Sequence, residues 1–186
     1  WANPLTKRVN LRIADLESAA LWPYVLLASI TLLAAALRFY KLGAWSFWQD
    51  ELSSVMGVRD GFNESVFRQS LSLVLIRATV TFLGTSEWSA RLAPALIGVF
   101  TIPILYFPIK KIFGSTIALV SMLLLAVSPW HLYWSQNARF YSLLLLFYTL
   151  ALFAFYFALE EKRPHYLLLS LLLLALATRE RLIALF

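Results

Sequence analysis

The sequence predicts an all-α polytopic membrane protein, and three observations carry that reading. Of its 186 residues, 61% are hydrophobic and only 14% are charged, against roughly 45–50% and about 25% in soluble domains. Four stretches approach the ~20 apolar residues that a helix needs to cross a bilayer core. Basic residues collect in short segments between those stretches. The net charge of +6 therefore describes no single solvated face, and a nucleic-acid partner is excluded.

Residues 1–20 read as a cytoplasmic juxtamembrane segment carrying Lys7, Arg8 and Arg12. The first span, 21–40, is uncharged until Arg38. It lacks the ordered n-region, short h-region and small-residue cleavage site of a signal peptide. The loop 41–87 is the most polar part of the chain. In its later half Phe67, Leu71, Val74, Leu75, Ala78 and Phe82 recur at helical spacing. That is one apolar stripe, and it predicts a helix lying in the interface.

The second span, 88–107, contains a charge only at Arg91. A tight turn with Lys110 and Lys111 leads to an uncharged third span, 113–130, and a Leu- and Phe-rich fourth, 140–159. A turn with Lys162, Arg163 and His165 precedes a fifth apolar run, 166–178, which Arg179, Glu180 and Arg181 interrupt. That run is short for a span, so either it ends at the interface or it is a broken segment. With alternating spans the three basic clusters share one face, which the positive-inside rule makes cytoplasmic. Trp45, Trp48, Trp88, Trp130 and Trp134 fall at the opposite interface, as an aromatic belt does. We expect the chain to be the N-terminal part of a larger polytopic protein.

Polar groups at membrane depth are costly, so the few present form the list of functional candidates. Asp50 and Glu51 follow the first span directly. Adjacent on a helix, they point about 100° apart, and at most one faces a given substrate well. One can act as a general base while the other orients it. From spacing alone the plainer reading, acids favouring a helix N-terminus, carries more weight.

Arg139 sits among aromatics in SPWHLYWSQNARFY, 128–141. Its planar fork suits a phosphate, but from the residues alone a snorkelling interfacial Arg is slightly favoured. Arg91 reads either way too. His131 reads as a satisfied structural histidine, and Asn63-Glu64-Ser65 is a weak glycosylation sequon. The absence of Cys removes disulfides, thiolate metal sites and a Cys nucleophile. There is no Walker loop, G-x-G-x-x-G, H-E-x-x-H or G-x-S-x-G.

Three stretches taken in order, LRFYKLGAWSFWQDE, WSARLAPALIGVFTIPILYFPIKKIFG and SPWHLYWSQNARFYSLLLLF, resemble the polyprenyl-phosphate-sugar-dependent membrane glycosyltransferases. These have the C-type glycosyltransferase fold and include protein O-mannosyltransferases and lipid A aminoarabinose transferases. The resemblance runs from about Leu37 to Phe157. It implies the N-terminal part of that membrane core, with interfacial helices in a first outer loop on the periplasmic, extracellular or luminal side. The implied activity is inverting transfer of a hexose or pentose from a polyprenyl-phosphate sugar to a protein, lipid or glycan acceptor. Asp50 and Glu51 match the first-loop acids, with Asp50 as base. Ala138, Arg139 and Tyr141 match an A-R-x-Y element near the donor headgroup, and Arg91 and Arg68 are further candidates for the donor phosphate.

Two departures stand out. Asn137 occupies a position where relatives commonly carry an acid, and Arg68-Gln69-Ser70-Leu71-Ser72 stands where many have H-P-P-L-Y. No metal ligand is assigned, and the outer-face carboxylates are compatible with a divalent metal without requiring one. The alternative is a non-catalytic relative that serves as an assembly or lipid-binding subunit. A transporter is a third class, for which only Arg179 to Arg181 speak.

Overall fold

The computed structural model describes residues 21–59 and 70–181. The basic segment before residue 21, Phe67, Arg68 and the sequon at 63–65 lie outside the described residues. Among those described, eight helices occur and no strand. They are α1 (Trp22–Phe39), α2 (Gln49–Arg59), α3 (Leu71–Leu83), α4 (Glu87–Phe113), α5 (Ser115–Val127), α6 (Pro129–Ser135), α7 (Tyr141–Glu161) and α8 (Pro164–Glu180).

Three of these, α1, α4 and α7, are long and apolar enough to cross a membrane. A fourth crossing results if α5 and α6, bent by 59° at Ser128, count as one broken span. Packing follows the membrane pattern of small residues inside and large apolar residues outside. Ala34, Ala90, Ala95, Ala118, Ala126, Ala154 and Ala177 are buried, whereas Leu32, Phe100, Leu124, Leu152 and Leu168 are exposed. Lipid solvates the outer face, so Leu and Phe there cost nothing. Close helix approach needs small side chains and interhelical hydrogen bonds, such as Ser170 Oγ to the Ala151 carbonyl at 2.9 Å between α8 and α7.

The main apolar cluster joins α1, α4, α5 and α7 through Leu27, Ile102, Leu105, Met122 and Leu146. A smaller one, Val55, Ile76, Ala90 and Ala138, holds α2 and α3 against α4 and the segment after α6.

Several boundaries differ from the sequence expectation. Lys110 and Lys111 occupy the last turn of α4, not a loop. The helix continues to Phe113 and stops only at Gly114, whose φ of +86° suits glycine. The expected third span ends at Val127. Pro129, which has no N–H to continue the helix, starts α6 at its first position, and Ser128 Oγ caps that helix. The fifth apolar run is unbroken through Arg179 and Glu180 as α8.

In α3 the expected single stripe is divided. At 13 residues, or roughly 20 Å, the helix is too short to cross a bilayer. Its buried line is Ser72 and Ile76, while Val74 and Phe82 stay exposed. Ser72 is not a member of the expected stripe. It is buried because its N–H meets both carboxylate oxygens of Glu180, each at 3.3 Å.

The two ends of the bundle differ. At one end Lys111 pairs with Glu161, Arg163 lies 3.7 Å from the same carboxylate, and Lys110 hydrogen-bonds Tyr24 at 3.2 Å. Both basic turns therefore share one end, as alternation of the spans predicts. At the other end the α1 terminus, α2, α6 and the start of α7 converge.

Candidate active site

Helix α2 begins directly after Trp48, which places Asp50 and Glu51 in its first turn. Their environments are opposite. Glu51 is fully buried, and the Arg91 guanidinium grips it with Nε donating to Oε1 at 2.8 Å and Nη2 to Oε2 at 2.7 Å. The Ala138 backbone N–H adds a third bond to Oε1 at 2.7 Å, and Trp48 N–H reaches Oε2 at 3.5 Å. The last is half of a capping box, with the acid at the third helical position reaching back to the cap.

Arg91 also donates to the carbonyls of Leu42, Trp45 and Ser46 at 3.1, 2.9 and 3.4 Å. Its five N–H groups are thus all engaged within the protein. The Phe47 ring lies 5.6 Å from the guanidinium carbon.

Asp50 has a side chain 52% exposed, and its carboxylate lies 3.7 Å from Arg139 Nη2. Arg139 Nη1 donates to the Asp50 carbonyl at 3.0 Å and to Ser54 Oγ at 3.2 Å. Its Nε is buried and meets no acceptor among the described residues. One edge of this guanidinium is therefore tied to α2, while Nε and Nη2 on the other edge make no hydrogen bond there. Tyr141 opens α7 and packs its ring on Trp134, with centroids 3.8 Å apart.

Asn137 is buried between α2 and α6. Its Oδ1 accepts from Trp48 Nε1 at 3.0 Å, and its Nδ2 donates to the Tyr133 carbonyl. Gln136 Nε2 lies 3.1 Å from each of the carbonyls of Leu37, Arg38 and Tyr40, the orphan acceptors at the end of α1. A cleft of about 340 Å³ opens beside the buried pair, lined in part by Lys41, Trp45, Trp48, Tyr133, Gln136 and Asn137. Neither Asp50 nor Arg139 lines it.

The structure thus brings Asp50, Glu51, Arg91, Arg139 and Tyr141 to one end of the bundle. Two groups there were not placed at this site by the sequence. Arg38 is fully buried, with Nη2 2.6 Å from His131 Nδ1 and Nη1 bonded to the Ala34 and Ala126 carbonyls. Arg181 lies with its guanidinium carbon 5.2 Å from the Phe140 ring centroid, the same distance as Arg139. A basic residue just past an apolar run looks like a membrane anchor. Only the return of α8 to this end reveals its neighbours.

No group of three His, Cys, Asp or Glu side chains suited to a metal occurs among the described residues. Glu51 is held by Arg91 and Asn137 is a neutral amide held by Trp48, so neither of these two side chains is free to ligate a cation.

No curated protein and no solved structure matches the chain. A family model for dolichyl-phosphate-mannose-protein mannosyltransferases matches residues 71–185, a stretch that contains Arg91, Arg139, Tyr141 and Arg181. The match covers more than half of the chain, and the ordered helices and clustered polar end agree with it: the protein belongs to the dolichyl-phosphate-mannose-protein mannosyltransferase family and is a membrane glycosyltransferase of the C-type fold.

Proposed function

We propose that this chain forms part of an inverting glycosyltransferase that takes its sugar from a polyprenyl-phosphate donor, with Asp50 as base and Arg139 at the donor phosphate. The observation that carries this reading is the contact between an exposed carboxylate and a half-engaged guanidinium 3.7 Å away. A phosphate is a fair leaving group, so the site needs a base for the acceptor and a cation for the departing charge.

Asp50 accepts the proton of an acceptor hydroxyl. The acceptor oxygen then bonds to the anomeric carbon as the bond from that carbon to the phosphate oxygen breaks, and the polyprenyl phosphate leaves with the electron pair. Arg139 meets the charge gathering on that phosphate. Arg91 has no free N–H for it, so its part is to hold Glu51 and, through Ala138, to place Arg139 beside Asp50. The aromatic and amide lining of the neighbouring cleft suits a sugar ring.

A family membership supports a lipid-linked donor, and the positive-inside rule supports the face. Lys110, Lys111, Lys162, Arg163 and His165 belong to the other end of the bundle, which supports an active site on the non-cytoplasmic side.

The test is transfer from a lipid-linked sugar by the full-length protein in proteoliposomes. Asp50→Asn should insert and melt like the parent and lose transfer. Retained transfer would remove Asp50 from the reaction. Arg139→Gln should raise the donor KM more than the acceptor KM, and an unchanged donor KM overturns that assignment.

A further inference from the structure

We infer that Arg181, at the end of α8, is a second anion-binding group that closes with Arg139 on one phosphate. The inference rests on the lipid-phosphate reading above and adds a residue that neither the spacing of the motifs nor the family match assigns to a role.

Arg139 and Arg181 both bring their guanidinium carbons to 5.2 Å from the centroid of the buried Phe140 ring. They come from distant parts of the chain and meet on one aromatic side chain, so at most twice that distance separates them. The ring attracts cations but cannot neutralise them. Of the two, Arg139 has the 3.7 Å contact with Asp50, and no carboxylate among the described residues pairs with Arg181. The adjacent Glu180 turns the other way, into the amide of Ser72. With one acid beside Arg139 and no carboxylate paired with Arg181 among the described residues, the two permanent cations retain a net positive charge.

The unused groups point to the same chemistry. Arg139 Nη1 is held by Asp50 and Ser54, which leaves Nε and Nη2 without hydrogen bonds among the described residues. Those two groups lie on one edge, Nε buried and Nη2 3.7 Å from the Asp50 carboxylate, and they are the parallel donor pair that a phosphate takes in place of that carboxylate. Arg181 is exposed on a four-bond side chain, and it can swing onto a third oxygen without moving α8. Its backbone is fixed by its N–H bond to the Ala177 carbonyl at 3.1 Å and by the neighbouring Glu180 contact. The ligand class is therefore a phosphate ester carried at the membrane surface, such as a polyprenyl phosphate. A snorkelling Arg181 that serves only the interface would show no preference for it.

The experiment measures binding of geranylgeranyl phosphate and of geranylgeraniol to the full-length protein in nanodiscs, for the parent, Arg181→Gln, Arg181→Lys and Asp50→Asn. The parent should prefer the phosphate. Arg181→Gln should weaken phosphate binding about tenfold, as loss of a charge-assisted contact does, without changing the alcohol. Arg181→Lys should recover part of the loss, and Asp50→Asn should retain binding. If the parent prefers the phosphate and Arg181→Gln binds it as tightly, Arg181 has no such role and the lipid-phosphate reading survives. If the parent binds both lipids equally, that reading and this inference fall together.

Discussion

Glu51 and Arg91 form a forked ion pair at 2.7 and 2.8 Å with neither side chain open to water, directly beside an Asp50 that is half exposed. Two adjacent acids have been given separate duties by what surrounds them. A buried pair of this kind offers little net stability over apolar packing, but removing one partner strands a charge at a cost of about 3–5 kcal/mol. Glu51→Ala and Arg91→Ala should each lower the melting temperature of the detergent-purified protein sharply. Asp50→Asn should leave it within the error of the parent. Equal melting temperatures for all three would mean that the pair is not what holds α2 to α4.

The same pair should show strong coupling. Arg91 also closes three carbonyls of the 42–46 segment, so Glu51→Gln, which keeps volume and one acceptor, should cost less than Arg91→Gln. The double variant should cost clearly less than the sum of the two singles, because the second change has no charged partner left to strand. Additive losses would show that the two residues act independently.

Gly98 lets α4 and α6 touch. A Cβ there would lie 2.2 Å from Ser135 Oγ and 2.7 Å from Ser135 Cβ, with Arg38 Nε at 3.0 Å. All three are packed, so Gly98→Ala should cost about 1–3 kcal/mol as overpacking. Ser135→Gly in the Gly98→Ala background should restore much of the loss, which thermal unfolding of the four proteins measures. No recovery would place the strain elsewhere.

Much of this architecture was legible in the sequence because bilayer thickness and helical rise leave few choices. Helices stand at the first and fourth expected spans within two residues of their limits, the helix at the second runs on to Phe113, and Asp50, Glu51 and Arg139 do meet. What stayed hidden depends on pairing in three dimensions. Glu51 and Asp50 look alike in sequence, and only the Arg91 fork separates them. Arg91 at the start of a span reads as an anchor until its five acceptors are seen. Ser72 and Glu180, 108 residues apart, carry no pattern that links them. Helix ends shifted for a local reason as well: lysines tolerate a last helical turn, whereas Gly114 and Pro129 do not continue a helix.

Arg38 gives a further prediction. It donates to the Ala126 carbonyl, an acceptor in the last turn of α5 before the bend, and to His131 in α6. One guanidinium thus holds α1 to both sides of the 59° break. His131 Nδ1 accepts that bond, so its proton sits on Nε2 and the ring is neutral. His131→Asn, which keeps an acceptor, should melt closer to the parent than His131→Leu, which leaves Arg38 with one acceptor fewer. The reverse order would mean that His131 matters by volume and not as the acceptor for Arg38.

Glu180 closes the argument, because it fastens α3 to α8 while Arg181 stands next to it. Its two carboxylate oxygens accept from the Ser72 N–H in the first turn of α3, where an acid also complements the helix dipole. Glu180→Gln keeps an acceptor and loses the charge, so it should destabilise modestly, by about 1 kcal/mol. Glu180→Leu leaves the Ser72 amide buried without a partner and should cost more, about 1–3 kcal/mol. Hydrogen exchange at the N-terminal turn of α3 checks this directly: protection there should fall in both variants, more in the second, while the α4 core keeps its protection. Unchanged exchange at α3 would show that Ile76 and Leu73, packed against Ala90 and Val55, hold the helix without Glu180.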